Sequence, residues 1–261
     1  MSEKPARALL LLRAGDENFL LIKKVKEIIP ICGVVWERKG FAERFRVVWR
    51  RRKKIGIIKV IDQLLYLVVR DVLSLLGFYP SIIKVDERLK REAVEGLDCL
   101  VVGSVNDRQV LEFAGEKKPD VVIVSGTGIL KKDLIDALKV PIINYHAGIT
   151  PEYRGVYGAF WALLEGKPSL VGSTIHLIDP GIDTGAILRQ ERIEIDLLND
   201  THLSLFEKQF LKALELIEDV LKEFLSRGKL EGWEKKGARS QLYYHPGLTE
   251  LIKFWIQIGI R

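Results

Sequence analysis

Short apolar runs alternate along the chain with amphipathic stretches. Ala8 to Leu12 (ALLLL) is an unbroken run that suits a fully buried strand, and Asn18 to Ile29 carries a helical period. With a second strand at Ile31 to Trp36, this strand–helix–strand opening predicts a parallel sheet covered by helices. The alternation resumes downstream. Strands are expected at Cys99 to Val105, Asp120 to Ser125 and Val140 to Tyr145, with helices at Asp107 to Lys117 and Lys131 to Leu138 between them. A helix over Tyr157 to Glu165 then precedes two later strands, Gly172 to Ile178 and Ala186 to Ile195. The clearest helix runs from Leu203 to Phe224, with Leu203, Phe206, Phe210, Leu214, Ile217, Leu221 and Phe224 on one face. Asp200 or Thr201 is its expected N-cap and Gly228 follows its end. From Lys229 onward, glycines and aromatics follow no period that assigns them.

One segment departs from this regularity. Ile57 to Phe78 is largely apolar, but Lys59, Asp62, Arg70 and Asp71 leave no uncharged run of the ~18 residues that a membrane span needs. Its polar positions Lys59, Asp62, Gln63, Tyr66, Arg70 and Ser74 recur every three or four residues, the mark of a narrow wet stripe on a mostly buried helix. A second reading rests the segment on a membrane surface or a partner as a basic amphipathic element. Just before it, residues 43–54 (ERFRVVWRRRKK) hold seven Lys/Arg against one Glu, a local +6 equal to the excess of the whole chain. The remainder is near neutral, which argues against a nucleic-acid-coated surface and against nucleic acid as a partner.

Composition adds bounds rather than chemistry. The chain has 261 residues, 48% hydrophobic and 29% charged, enough apolar material for one large α/β domain. The expected organisation is a single domain over 1–261, with a basic helical insertion at about 40–80 and a short C-terminal extension at about 228–261. Cys32 and Cys99 follow no ligand or redox spacing and read as reduced core thiols. Met1 to Arg7 lacks the apolar stretch of a signal peptide, so the expected location is cytoplasmic. A single methionine, with few Asn, Gln and Cys, is a thermophile-like profile.

The chemistry gathers at one strand end. Asn144 and His146 stand two residues apart in a strand, so both side chains share a face. Loops leaving the C-terminal edge of a parallel sheet are where open α/β folds build their sites. Two such loops follow: Ala147 to Gly155 (AGITPEYRG) and Asp179 to Gly185 (DPGIDTG), the second with two carboxylates. His176, alternating with Thr174, reads as structural or pocket-lining, and His202 and His245 as surface residues. No compact ligand motif supports a metal, and none is expected.

The stretches NYHAGITPEYRG and GSTIHLIDPGIDTGAIL resemble the active-site signature of the 10-formyltetrahydrofolate-dependent formyltransferases. That superfamily includes glycinamide ribonucleotide, methionyl-tRNA and sugar-nucleotide N-formyltransferases. The resemblance covers about residues 97–225 and implies an α/β, Rossmann-like open sheet, mostly parallel, with helices on both faces. It implies 10-formyltetrahydrofolate as formyl donor, without a metal, and a small-molecule or nucleotide-linked amine as acceptor. Asn144 would donate to the oxyanion, and His146 would stabilise that charge or pass a proton to the departing nitrogen. Asp183 would pair with His146 and help take the amine proton. The pterin ring would lie against Gly126, Thr127, Gly128, Ile129 and Leu130 and against Ile178 to Asp183, Asp179 included. Arg154 and Gly155 would border the same pocket, with Arg154 reaching an anionic group or a loop hydrogen bond. The turn Arg13 to Asn18 carries two acids, Asp16 and Glu17, where the glycinamide ribonucleotide enzymes cradle phosphate, and Tyr153-Arg154-Gly155 is closer to the tRNA and sugar-nucleotide branches. The competing functions are a deformylase acting on the same folate and a folate- or nucleotide-binding module without turnover.

Overall fold

A computed structural model describes residues 5–38, 40, 49, 52–78, 83–196 and 198–259. Five parallel strands form the centre: β1 (Ala8–Arg13), β2 (Ile31–Glu37), β3 (Cys99–Val102), β4 (Val121–Ser125) and β5 (Ile142–His146). A two-residue strand, β6 (Arg154–Gly155), stands apart, and β7 (Gly172–Leu177) and β8 (Ile187–Arg192) extend the sheet antiparallel beyond β5. The order is β3-β2-β1-β4-β5-β7-β8, a Rossmann-like α/β sheet with its chain reversal on the β1–β4 side.

Both faces of the sheet are covered, and that explains the unbroken apolar run in β1. Ala8, Leu10 and Leu12 meet α1 (Glu17–Lys26) and the long C-terminal helix, whereas Leu9 and Leu11 meet the other face. The remaining helices are α2 (Ile57–Leu75), α3 (Glu87–Val94), α4 (Arg108–Lys117), α5 (Lys132–Leu138), α6 (Gly158–Leu164), α7 (His202–Arg227) and α8 (Leu248–Ile258), with a single helical turn at Arg52–Ile55. Helix α7 starts at Thr201, whose hydroxyl accepts from the Ser204 N–H, and ends at Gly228 in the left-handed region. Phe206 leaves the expected apolar face: it is exposed, because the first turns bury Leu205 and Gln209 instead.

A third core lies outside the sheet. Tyr66 of α2, Phe160 and Leu163 of α6, and Leu251 and Phe254 of α8 pack together with Tyr153 and Tyr243. Phe160 and Phe254 stack with centroids 4.5 Å apart. The unassigned tail therefore has structure: β9 (Leu242–Tyr243) pairs in parallel with β6, and α8 completes this core.

The structure reverses the reading of α2. Its polar stripe faces the protein and its apolar face looks outward. Gln63 is buried and donates to the His245 carbonyl at 2.6 Å; Asp62 accepts from the Thr249 N–H and hydroxyl; Lys59 pairs with Glu250. These polar groups find partners on the segment around α8, with the Gln63 Oε1 alone among them left without one. Of the basic segment 43–54, only Trp49 and residues 52–54 fall within the described residues; Arg44, Arg46, Arg50 and Arg51 lie outside them. Two smaller expectations also change. Cys99 is an exposed thiol on edge strand β3, and His202 is buried beside the Tyr66 hydroxyl at 3.3 Å. Among the described residues, no helix is long and apolar enough to cross a membrane.

Candidate active site

Strand β5 presents Asn144 and His146 at the C-terminal edge of the sheet, on one face as the two-residue period requires. The antiparallel partner β7 sets His176 opposite Asn144 and Thr174 opposite His146. Asp183 enters from the following loop and lies between the two imidazoles. Its Oδ2 is 3.4 Å from His146 Nδ1, and its Oδ1 is 3.5 Å from both His176 Nε2 and Asn144 Nδ2. The Gly155 N–H donates to Oδ2 at 2.8 Å. Burial works against the charged carboxyl, but His146, His176 and the Gly155 N–H outweigh it and hold Asp183 well below the usual carboxylate range. The residue sits at φ +50°, a left-handed conformation that aspartate tolerates better than most side chains.

Hydrogen-bond chemistry fixes which nitrogens do what. A carbonyl can only accept, so His146 Nε2–H donates to the Tyr153 carbonyl at 2.6 Å and Nδ1 is the nitrogen facing Asp183. By the same logic His176 Nδ1–H donates to the Leu177 carbonyl at 2.8 Å, and its Nε2 lies 3.0 Å from the Asn144 amide nitrogen and 3.5 Å from Asp183 Oδ1. Gly148 makes room for this arrangement, because a Cβ there would lie 2.5 Å from His146 Nε2. Thr174 braces the loop by donating to the Gly148 carbonyl at 2.6 Å.

The predicted ligand residues divide. Asp179 shapes its own loop, accepting from the Gly181 N–H at 3.0 Å and the Thr184 hydroxyl at 2.7 Å. Arg154 donates to the Ile182 carbonyl at 3.1 Å, so in this structure it takes the loop-bracing role next to Asp183. Ile178 continues the sheet, donating its N–H to the Ile142 carbonyl. Gly126 to Leu130 leave the end of β4 with Gly126 at φ +69°, Ile129 exposed and Leu130 buried beneath. Thr127 bonds to the Gly128 carbonyl, and the Gly128 N–H is committed to Glu37 at 2.7 Å.

Glu37 is the clearest residue that sequence reasoning passed over. It is a buried carboxylate at the end of β2, and it ties Gly128 to Val105, whose N–H it accepts at 3.1 Å. Asn106 adds a second clamp, donating to the Ile129 carbonyl and accepting from the Lys131 N–H. Nothing in a strand-terminal glutamate marks this role, whereas His176 had a signal in its same-face alternation with Thr174. Among the described residues no group of three or more His, Cys, Asp or Glu side chains can hold a metal ion; Asp183 contacts the imidazoles directly.

At the end of β1 a cavity of about 650 Å³ opens between Arg13, Lys84 and four carboxylates, Asp16, Glu17, Asp86 and Glu207. Asp16 pairs with Lys90 and Glu17 with Arg13, each at 3.0 Å, so the acids of this turn are tied to local cations.

Comparison with known proteins gives this arrangement a context. Residues 100–220 match the formyl transferase family. Methionyl-tRNA formyltransferase of Finegoldia magna is 32% identical over 141 residues, 52% of this chain and 44% of that protein. GDP-perosamine N-formyltransferase of Brucella melitensis is 32% identical over 119 residues, 45% of each chain. The chain thus matches less than half the length of either relative. Among solved structures, the N-formyltransferase from Helicobacter canadensis in complex with folinic acid and dTDP-3-aminofucose is similar with a TM-score of 0.55. It covers 90% of this chain and 70% of that one at 15% identity, a likeness of fold. Asn144, His146, His176 and Asp183 all fall within the residues 100–220 that match the formyl transferase family.

Proposed function

We propose that this site transfers a formyl group from 10-formyltetrahydrofolate to the amine of a small-molecule or nucleotide-linked acceptor. The observation that carries the reading is the Asp183 carboxylate seated between two imidazoles with the Asn144 amide beside it. The amine nitrogen attacks the formyl carbon, the carbonyl oxygen gains negative charge, and the bond from that carbon to the folate nitrogen then breaks. The Asn144 amide donates to His176 at 3.0 Å and to Asp183 at 3.5 Å, and turning the longer of these bonds toward the substrate would put an N–H on the oxygen. The amine must lose a proton and the leaving nitrogen must gain one. His146 Nδ1 takes the first and passes it to the leaving nitrogen, while Asp183, 3.4 Å away and held as an anion, stabilises the imidazolium in between.

The loop Gly126 to Leu130 suits a flat heterocycle: Glu37 and Asn106 clamp its main chain, and Ile129 offers exposed apolar surface. That the Helicobacter canadensis protein of similar fold was solved with folinic acid supports a folate as the donor. The cavity at the end of β1, lined by Arg13 and Lys84 as well as by carboxylates, is the proposed place of the acceptor.

The test is incubation with 10-formyltetrahydrofolate and panels of amines, following formyl groups by mass spectrometry. His146→Ala should lower turnover by about 10²–10⁴-fold, and Asn144→Ala by roughly 10²-fold or more. The losses should be strongly non-additive, since both residues act on one intermediate. Formyl consumption without amine would mark a hydrolase, and a folded, fully active His146→Ala protein would sink the mechanism. Asp183→Asn adds a pH signature. Because the folded carboxyl is depressed, its stabilising charge is fully present above the unfolded value of about 3.9 and is lost as pH falls through the folded value. Wild type and variant should differ most in thermal stability above about pH 4 and converge in stronger acid.

A further inference from the structure

Helix α2 exposes Ile58, Ile61, Leu65, Val68, Val72 and Leu75, with fractional exposures from 48% to 87%. The spacing of three and four residues puts them in one stripe along the whole helix. Leu76 and Phe78 continue the exposed apolar surface past its end. This is no core face left uncovered by accident, because Lys59, Asp62 and Gln63 of the same helix are turned inward onto fixed partners.

We infer that this stripe is a docking surface for an anionic lipid bilayer, on which α2 lies flat. The argument for that occupant is charge. The stripe begins directly after the run that holds seven Lys/Arg against one Glu. At its described end, the Arg52 guanidinium lies 4.8 Å over the ring of the exposed Trp49. An apolar stripe with a basic flank and an interfacial aromatic suits the boundary between acyl chains and acidic headgroups. A second copy paired stripe to stripe would offer apolar contact but set one basic run near another. The acids of α2, Asp62 and Asp71, are paired with Lys59 and Arg70. At 1.5 Å per residue the 19-residue helix offers about 28 Å of contact in the plane of the surface. The inference is independent of formyl transfer.

Co-flotation of the full chain with vesicles tests it without reference to activity. Phosphatidylglycerol-containing vesicles should capture the protein at least tenfold better than pure phosphatidylcholine, with capture falling as salt is added. The variant Ile58→Asn, Leu65→Asn, Val72→Asn should lose capture while melting near wild type, since these side chains are already solvated. Arg52→Gln with Lys53→Gln, which leaves the stripe intact, should weaken capture about tenfold. Equal capture by both vesicle types, capture that survives the stripe substitutions, or no capture at all overturns the inference. A dimer in sedimentation that the stripe substitutions abolish, without vesicle capture, overturns it in favour of self-association.

Discussion

Helices α2 and α7 are both long and amphipathic, yet they sit on the protein in opposite senses. In α7 the apolar residues Phe210, Ala213, Ile217, Val220 and Leu221 are buried on the sheet, and the outer face is laced with pairs such as Lys212–Glu215 and Lys222–Glu218. In α2 the buried positions are Val60, Gln63 and Tyr66, and the aliphatic stripe is outside. A helical period tells only that two faces differ. Which one turns inward depends on what the neighbour offers. The sheet offers α7 an apolar plane, whereas the segment around α8 offers α2 a carbonyl, an N–H, a hydroxyl and a carboxylate.

Three substitutions would break or sharpen that contrast, each read by thermal unfolding. Phe210→Ala on the inner face of α7 removes a ring packed edge-on against Tyr145 at 5.6 Å. It should cost about 3–5 kcal/mol, with a melting temperature lower by roughly 10 °C. Gln63→Ala on the inner face of α2 strands the His245 carbonyl and should cost about 1–3 kcal/mol. A loss as large as that at Phe210 would mean that α2 is held more like a core helix than its polar contacts suggest. Val68→Ser on the outer face should change stability in solution by no more than about 0.5 kcal/mol. A larger loss there would show that the stripe is covered in the free protein and would erase the contrast.

The sequence made the sheet readable where one force acts alone. The ALLLL run of β1 is buried on both faces and reads as such, and Asn144-x-His146 marks its strand end because the two-residue period is local. What stayed hidden depends on distant partners. The pairing of Arg154–Gly155 with Leu242–Tyr243 is two residues long and leaves no periodicity. Glu37 acquires its role only because β2 ends beside the loops after β3 and β4. The orientation of α2 was misread for the same reason: its narrow polar stripe looks solvent-facing until α8 supplies partners.

Tyr153 and Gly155 join the site to the C-terminal tail. The Tyr153 carbonyl accepts from the His146 N–H and the Gly155 N–H donates to Asp183, while the Tyr153 ring stacks on Tyr243 at 5.2 Å and its hydroxyl reaches Glu165. Both halves of the imidazole–carboxylate pair are thus fastened to one strip of main chain, and β9 fastens that strip to the tail. Lifting β9 away would free both side chains in a single cooperative event, below the cost of melting the sheet. Catalytic alignment then belongs to the free-energy landscape of the tail: mild denaturant should silence the site while the parallel strands keep their slowly exchanging amides.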